Sequence, residues 1–550
     1  MVGIAGKSPA CKTCRQRRIK CDLRRPACLK CITSKRACTG YGRGIIFVNR
    51  TPSCLSATAT SVLSCRAACE RLLKDNSADL RTEANLRRLF SESGCNGREF
   101  RQYAASLLEA IYLPQNHVSR GPKSKADEGS FSWAYCLTDL VRPSKPLDTS
   151  LFAFCLVQLH ITGQGSTSLY QCLDQYNAAL QHLHSDLNDF EQQSQDETLA
   201  AILVLSTCEL FLCPAENGWG VHARGIAEIL RLRNPEMTST PTWKHLFSRL
   251  RIVCTLEALT KREADILRND MWRRIVTESG FEGILDEVYR IVADVPAILE
   301  QAVALESIDD PKGLFRESGT VIRLLLGMVT SIEAWNDAFA RASPTSRAWL
   351  VPSHTENPAD VGSSNKVFPS CFEFESLSVA VAVVMCWAVA TQLHSNIIQI
   401  HGLVRARLGR HITLGDLLAQ VDSVVANEVI LVDISSGDAS LSTSEKGDLI
   451  ENIQNEGAKM AHNVCRSLEY FHRVEMGTYG SHAATYPTWS ARQFFRLHPG
   501  HERERLWIEK IHEMEGPGTR WGLSMMAFAD IAEPLSAAVC QDKKIAPSDL

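Results

Sequence analysis

Residues 11–21 read Cys11-Lys12-Thr13-Cys14-Arg15-Gln16-Arg17-Arg18-Ile19-Lys20-Cys21, and the same cysteine spacing returns after a six-residue spacer. The pattern C-x2-C-x6-C therefore occurs twice, with its cysteines at Cys11, Cys14, Cys21, Cys28, Cys31 and Cys38. A C-x2-C pair is the usual zinc clamp, because the short turn lets both thiolates face one ion. The repeated spacing predicts two similar half-sites.

Six thiolates fill eight coordination positions around two zinc ions if two of the sulfurs bridge both metals. The first cysteine of each half, Cys11 and Cys28, is the natural bridge. We therefore expect two structural Zn²⁺ ions, with thiolate at every position and no open site for a water nucleophile. A secreted disulfide knot fits less well, because residues 1–7 contain no apolar signal core. A single-zinc finger would leave the last cysteine of each half unexplained.

The cysteines lie in a strongly basic segment. Residues 1–50 contain thirteen Lys or Arg and one acidic residue, Asp22, for a formal charge of +12. Two zinc ions and six thiolates together add about −2, so the segment stays basic. This density of cations is typical of a surface that binds the nucleic-acid phosphate backbone. The other five hundred residues carry −15, which suggests that only the N-terminal segment contacts nucleic acid.

The six cysteines, the run Arg17-Arg18-Ile19-Lys20-Cys21 and Pro26 resemble the fungal zinc binuclear cluster transcription factors. The resemblance implies that a short helix in the first half enters the major groove of double-stranded DNA and reads a CGG-type triplet. By position, Arg18 is the implied base reader and Arg17 is its neighbour. The implied phosphate contacts are Arg15, Lys20, Arg24 and Arg25. Arginine rather than lysine at position 18 departs mildly from the family pattern, but a guanidinium also binds guanine O6 and N7.

A chain of 550 residues is longer than a single hydrophobic core usually organises, so we expect more than one domain. The predicted organisation is a zinc cluster domain at 1–42, a linker at 43–61 and an all-α regulatory domain at 62–550. The predicted fold class is thus a small two-zinc cysteine cluster domain followed by a large all-α helical domain. The segment Val62–Leu72 keeps heptad spacing for under two heptads, which favours a helix packed on the body over a dimerising coiled coil.

Apolar residues in the body recur with helical periodicity, for example from Leu169 to Leu183 and from Met460 to Phe471. Loops are predicted at 114–130, 234–241, 342–370 and 433–448. The apolar run Leu377–Leu393 is shorter than the ~20 residues that a membrane-spanning helix needs. We therefore predict a buried central helix, a soluble protein and no membrane partner.

Two fragments of the body resemble the fungal-specific regulatory domain that follows such zinc clusters. The first is Trp219–Gly225, continuing to Pro235, and the second is the helix Cys465–Phe471 with aromatic residues downstream. The resemblance implies an all-helical regulatory region. Within the first fragment, we interpret His222 as a packing or capping histidine.

The body contains none of the sequence motifs H-E-x-x-H, G-x-S-x-G or G-x-x-x-x-G-K-[ST], so we expect no enzymatic activity. Four residues near one helix end have side chains that could bind a metal, but we interpret them as a polar helix surface: His182, His184, Asp186 and Asp189. Three later histidines are interpreted as exposed: His498, His501 and His512. Most of the other fourteen cysteines should be small buried hydrophobes.

These observations predict a nuclear, sequence-specific DNA-binding regulator of RNA polymerase II genes, with transcription machinery or co-regulators as partners. The resemblance suggests a metabolic or secondary-metabolite gene set. The alternative is a DNA-anchored chromosomal scaffold. The acidic stretch 433–451 fits a solvated loop better than an activation segment. Activation and repression both stay open, as do a monomer on one triplet and a homodimer through the helical body.

Overall fold

The structure is a computed structural model. It describes residues 13–14, 17, 19–22, 28–34, 36, 76–92, 97–114, 132–189, 191–193, 195–212, 218–232, 241–278, 283–343, 346–361, 365–425 and 445–514. The chain divides into two compact units, Met1–Val48 and Asn49–Leu550, which we call the head and the body. The predicted linker at 43–61 and the segment Val62–Leu72 lie outside the described residues. The predicted domain boundaries therefore stay predictions.

The described part of the head is organised around sulfur. Cys14, Cys28 and Cys31 are fully buried, and Ile19 and Cys21 pack against them. Helix α1 (Leu29–Thr33) starts directly after Cys28 and buries Cys31. A core of this size and composition buries too little apolar surface to fold by itself. Folding of the head should therefore depend on metal binding.

The body is helical over most of its described length, which confirms the predicted fold class. Its first helices are α2 (Asn76–Glu92), α3 (Arg98–Ile111), α4 (Ser132–Cys136), α5 (Lys145–Ile161), α6 (Leu169–Leu187), α7 (Asp196–Leu212), α8 (Gly218–Leu232) and α9 (Pro241–Lys261). Helix α5 packs against α3, α6 and α7. Both α5 and α7 are buried on nearly every face, as expected of helices that are apolar all round.

The remaining elements continue the helical body and add one pair of strands. They are α10 (Asp270–Glu278), α11 (Ile284–Val292), α12 (Val295–Ala304), α13 (Pro311–Arg341), β1 (Ala348–Pro352), β2 (Ser370–Phe374), α14 (Leu377–Leu408), α15 (Leu414–Val425), α16 (Glu445–Phe471), α17 (Gly477–Ala483), α18 (Thr485–Leu497) and α19 (Glu502–Glu509). Single 3₁₀ turns occur at Ile266–Arg268, Leu305–Ser307, Pro358–Asp360, Val474–Met476 and Ile511–Glu513.

Helix α14 is the central helix of the second half of the body. It packs against α11, α13, α16 and α18. By length and composition alone α14 could cross a membrane, with a mean hydropathy of 1.7 over its most apolar window, yet 94% of that window is buried inside the body. The prediction of a buried central helix is confirmed. The helix continues beyond the apolar run, to Leu408.

Strands β1 and β2 form a two-stranded antiparallel sheet with Ala348 opposite Phe374 and Pro352 opposite Ser370. The sequence predicted a continuous loop at 342–370, which is wrong for β1 and for the start of β2. Residues 353–369 separate the strands, so the short-turn signal of a hairpin is missing from the sequence. Phe374 packs edge-to-face on Tyr470 of α16, 5.1 Å between ring centroids, which anchors the sheet to the helical core.

The two periodic segments are confirmed as parts of α6 and α16. Helix α6 begins with a capping box in which the Ser168 hydroxyl and the Gln171 side chain bond each other's backbone N–H groups. Helix α16 begins at Glu445, so the end of the loop predicted at 433–448 is helical. Pro241 likewise belongs to α9 rather than to the preceding loop, because proline fits the first helical turn. The rest of these two loops, and most of the one at 114–130, lie outside the described residues.

Candidate metal centre and nucleic-acid interface

Three buried cysteine sulfurs meet in the head. The Sγ atom of Cys14 lies 3.6 Å from that of Cys28 and 3.9 Å from that of Cys31. A tetrahedral zinc ion with Zn–S bonds of about 2.3 Å holds its sulfurs roughly 3.8 Å apart, whereas a disulfide needs about 2.05 Å. At these separations the Cys14 sulfur forms no disulfide bond with Cys28 or Cys31. Their sulfurs therefore stand at the spacing of thiolates around one zinc ion.

Cys28 belongs to two groups of potential metal ligands. One group joins it to Cys14 and Cys31, and the other joins it to Cys21 and Asp22, with the ligand atoms of each group within 4.8 Å of one another. A sulfur shared by two such groups is what a bridging thiolate requires. The placement favours the bridging role predicted for Cys28.

The local backbone of α1 positions the thiolates. Cys28 is the N-cap residue of α1, and its Sγ accepts a hydrogen bond from the Cys31 N–H at 3.4 Å. Hydrogen bonds to a metal ligand fix its orientation and tune the metal site. In the first half, the Ile19 N–H donates to the Cys14 carbonyl at 3.1 Å and turns the chain toward Cys21. The C-x2-C spacing thus becomes a fixed pair of inward-facing sulfurs.

Asp22 has a structural role that our sequence reasoning missed. One carboxylate oxygen accepts from the Leu29 N–H at 3.1 Å and the other from the Lys30 N–H at 3.3 Å. These bonds satisfy donors at the start of α1 that have no intrahelical partner. They also tie the segment next to Cys21 to the second half. The signal in the sequence was the isolation of one acid among thirteen cations.

Two of the predicted DNA contacts are described, and both are exposed. Lys20 projects from the head, and the Arg17 Nη1 donates to the Ser34 Oγ at 3.1 Å, which links the two halves. The other predicted DNA contacts lie outside the described residues: Arg15, Arg18, Arg24 and Arg25. Cys11 and Cys38 also lie outside them, so the full six-cysteine ligand set stays a prediction.

The packing role predicted for His222 is supported by its surroundings. The ring is buried, and its Nε2 lies 2.8 Å from the hydroxyl of Tyr176. That hydroxyl donates to the Glu209 carboxylate at 2.7 Å. The buried chain of hydrogen bonds links α6, α7 and α8, so His222 serves the interior of the body.

The interpretation of His498 as exposed is wrong. The ring is buried, packs 4.5 Å from the Phe494 ring by centroid, and its Nε2 lies 2.9 Å from the Ser395 Oγ. Burial, followed by the nearby His501, lowers the pKa of His498 to about 4. His501 is half-buried and His512 is exposed. The charged residues around these histidines misled the sequence interpretation, because α18 contributes Phe494 to the interior.

The other sequence candidates in the body do not form a reactive site in the part of the chain that the structure describes. His182, His184, Asp186 and Asp189 are not brought together as a metal-ligand group. The eight described cysteines of the body are all buried: Cys136, Cys155, Cys172, Cys208, Cys254, Cys371, Cys386 and Cys465. Burial raises the pKa of the Cys172 thiol to about 12, which leaves it protonated and unreactive. The buried-hydrophobe interpretation is confirmed for these eight.

Comparison with known families agrees with this arrangement. Residues 9–44 match the fungal Zn(2)-Cys(6) binuclear cluster domain, and residues 116–280 match the fungal specific transcription factor domain. The second match includes Trp219–Gly225 but ends before Cys465–Phe471, so the assignment of the second fragment stays a prediction. No solved structure matches the chain.

Curated relatives match short parts of the chain. An uncharacterized transcriptional regulatory protein of Schizosaccharomyces pombe is 68% identical over 31 residues, 6% of each chain. White-opaque regulator 2 of Candida albicans is 61% identical over 31 residues, 6% of this chain and 7% of its own. An uncharacterized protein of Emericella nidulans is 23% identical over 148 residues, 25% of this chain and 32% of its own. The chain thus spans at most about a third of the length of these relatives.

The resemblance noted in the sequence is confirmed by both family matches, and the described cysteines of the head form groups that could hold a metal ion. The cofactors of a Zn(2)-Cys(6) binuclear cluster domain are two zinc ions. None of the comparisons supports the chromosomal scaffold. The head and the body thus each match a domain of the fungal zinc cluster transcription factors: residues 9–44 match the Zn(2)-Cys(6) binuclear cluster domain and residues 116–280 match the fungal specific transcription factor domain.

Proposed function

We propose that the protein is a sequence-specific DNA-binding transcription regulator whose head reads CGG-type triplets. The observation that carries this proposal is the set of buried cysteine sulfurs at zinc-thiolate spacing within a segment of charge +12. The match of residues 9–44 to the binuclear cluster domain supports it. Fixed cations on a metal-stapled scaffold are suited to a polyanion, and side chains held in register can read base edges.

The proposed zinc ligands are Cys11, Cys14, Cys21, Cys28, Cys31 and Cys38. Cys11 and Cys28 would bridge the ions, so that each zinc has four thiolates. Closed tetrahedral sulfur coordination is typical of structural zinc and leaves no position for a reacting water. The zinc ions therefore hold the head in shape, and we propose no catalytic role for them or for the body.

Arg18 is proposed to read guanine through its O6 and N7 atoms. The Arg17 guanidinium donates to the Ser34 hydroxyl, which keeps it against the second half of the head. We assign Arg17 to the protein–DNA contact as a neighbour of the base reader. The cations proposed to contact phosphates and set the register are Arg15, Lys20, Arg24 and Arg25.

The rest of the proposal follows from the family rather than from geometry. The protein would act in the nucleus on RNA polymerase II genes, and the same basic clusters could serve nuclear import. The body would receive regulatory input and contact co-regulators. A homodimer formed through the body would place two heads on paired half-sites, with a metabolic gene set as the target class.

The test is selection of bound sequences from random double-stranded DNA by the full-length, zinc-loaded chain. The expected result is enrichment of a CGG-type triplet, which is lost when a chelator removes zinc. A Cys14→Ser variant supplies a second negative sample, because it removes one buried thiolate without changing the charge of the basic residues. Binding of the zinc-loaded chain without enrichment of any sequence would contradict the proposal.

A further inference from the structure

A third group of potential metal ligands lies in the body, far along the sequence from the cysteines. It consists of His462 on α16, His501 at the N-cap of α19 and Glu504 in the first turn of α19. The three ligand atoms lie within 4.8 Å of one another. The His462 Nε2 is 3.2 Å from the Glu504 Oε1. Among the described residues of the body, no other three His, Cys, Asp or Glu side chains converge in this way.

The spacing agrees with that of a small transition-metal site. Zn–N and Zn–O bonds of about 2.0–2.1 Å place the ligands of a tetrahedral zinc ion roughly 3.3 Å apart. The His462–Glu504 pair already has this separation. His501 needs to approach by about 1.5 Å at most to complete the set, a distance that rotation of a half-buried ring can supply. The chelating atoms are thus nearly in place before any ion binds.

A glycine in the left-handed backbone region immediately precedes His501. Gly500 has φ +91°, a backbone conformation that residues with a Cβ rarely adopt, and it turns the chain sharply between α18 and α19. The imidazole then lies against Phe495, 5.5 Å between ring centroids, and next to His462 at 6.1 Å. Phe368 packs edge-to-face on the His462 ring at 5.8 Å. These rings shield one side of the ligands from water, which strengthens electrostatic attraction to a cation.

A simple ion pair between His462 and Glu504 would account for only two of the three residues. In the described part of the chain, the His501 ring makes ring contacts but no hydrogen bond, so packing alone does not require an imidazole there. Helix α19 packs on α18 and on the turn at Pro358–Asp360, and His462 is its polar link to α16. A metal ion would convert that link into a coordinated one.

We infer that His462, His501 and Glu504 bind a third zinc ion, distinct from the two in the head, that fastens α19 to α16. Two imidazoles and one carboxylate form a nitrogen and oxygen donor set that suits zinc, and water completes the tetrahedron. The side chains of His462 and Glu504 are 29% and 21% exposed, which leaves a route for the ion to enter. The site stabilises the body and is independent of the proposed reading of DNA.

The first test is zinc per chain for the full-length protein after dialysis against buffered free zinc. Wild type should carry one zinc more than the His462→Ala and His501→Ala variants. His512→Ala removes an exposed histidine from the same region and should match wild type. Equal zinc content in wild type and in both site variants would overturn the inference. The head contributes equally to every sample, so loss of its zinc cannot imitate this pattern.

A second test needs no substitution. Every tryptophan of the chain lies in the body, from Trp133 onward, so tryptophan fluorescence reports unfolding of the body alone. Adding zinc to protein whose head is already loaded should raise the melting temperature of the body and saturate near one added equivalent, because the ion binds the folded state only. Glu504→Gln keeps the shape of the side chain but removes its charge. The zinc concentration needed for half of the rise in melting temperature should therefore increase at least tenfold. A melting temperature that does not respond to zinc would contradict the site.

Discussion

At the scale of single residues, a few side chains of the head determine how its described segments are held together. Cys28 caps α1, accepts the Cys31 N–H and takes part in both groups of metal ligands. Asp22 closes the start of α1 with two hydrogen bonds. Arg17 and Lys20 are both exposed, but the Arg17 guanidinium is held by a hydrogen bond to Ser34. Residues of the same charge therefore have different freedom to contact DNA, and substitutions can separate them.

Arg18→Ala should remove the base-reading contact. We expect affinity for the selected triplet to fall by about 1–3 kcal/mol, with relaxed specificity at one base, because a bidentate contact to guanine is lost. The measurement is a binding titration against the selected site and against a site with that base changed. An equal loss on both DNAs would remove Arg18 from the role of base reader.

Lys20→Ala should act on affinity rather than on specificity. We expect similar weakening on specific and random DNA, and a decrease of about one in the slope of log K against log salt concentration. Lys312→Ala, a substitution on the body, is the matched control and should leave the slope unchanged. A Lys20→Ala protein with the wild-type slope would show that this cation does not contact a phosphate.

At the scale of elements, the close approach of α17 to the end of α16 can be tested by substitution. A Cβ placed on Gly480 of α17 would lie 2.0 Å from the Phe471 carbonyl oxygen at the end of α16. Gly327, in the exposed middle of α13, has no atom within 4 Å of such a Cβ. The two glycines thus differ in surroundings while both lie in helices.

Gly480→Ala should destabilise the body by about 1–3 kcal/mol, because the backbone must move to admit the methyl group. Gly327→Ala should stabilise it by about 0.5–1 kcal/mol, because alanine favours an exposed helix. The measurement is the urea midpoint followed by tryptophan fluorescence. Equal midpoints for the two variants would show that α17 does not approach α16 as closely as described.

The elements also show what could be predicted from the sequence. Helices α6 and α16 were predictable because their apolar residues repeat at helical spacing, and α14 because a long apolar run must be buried. Strands β1 and β2 were not predictable, since each has five residues and their pairing depends on contact with α16 rather than on a local turn. His462 and His501 could not be related from sequence, because α18 and a single glycine bring them together.

In the head, the cysteine spacing was sufficient to predict a metal site, because ligand type and spacing alone define a thiolate clamp. The hydrogen bonds of Asp22 and Arg17 were not predictable, since neither has a periodic or motif-based signal. Sequence therefore predicts the ligands, and the structure identifies described residues that hold the two halves together.

At the scale of the whole molecule, the body should be sensitive to mild acid. Burial lowers the pKa of His472 and of His498 to about 4, against 6.5 for a free histidine. The unfolded chain therefore binds more protons than the folded chain between these values, and stability is lost as the pH falls from about 6.5 to about 4. Each histidine contributes a loss of about 3 kcal/mol across that window.

His498→Gln should reduce this pH dependence, because glutamine can bond Ser395 without taking up a proton. The expected result is a smaller decrease in the urea midpoint between pH 7 and pH 4.5 than in wild type, followed by tryptophan fluorescence. His512→Gln changes an exposed histidine and should behave as wild type. An unchanged decrease in His498→Gln would mean that His498 titrates normally in the folded protein.

The central claim is that the head holds two zinc ions on six cysteines, and zinc per chain by native mass spectrometry tests it most directly. The sample is the full-length chain carrying His462→Ala and His501→Ala, so that only the head binds zinc. Two zinc ions, six reduced cysteines in the head, and loss of both ions with Cys28→Ala are the predicted result. A single zinc ion, or none with oxidised cysteines, would contradict the cluster and every DNA contact assigned to it.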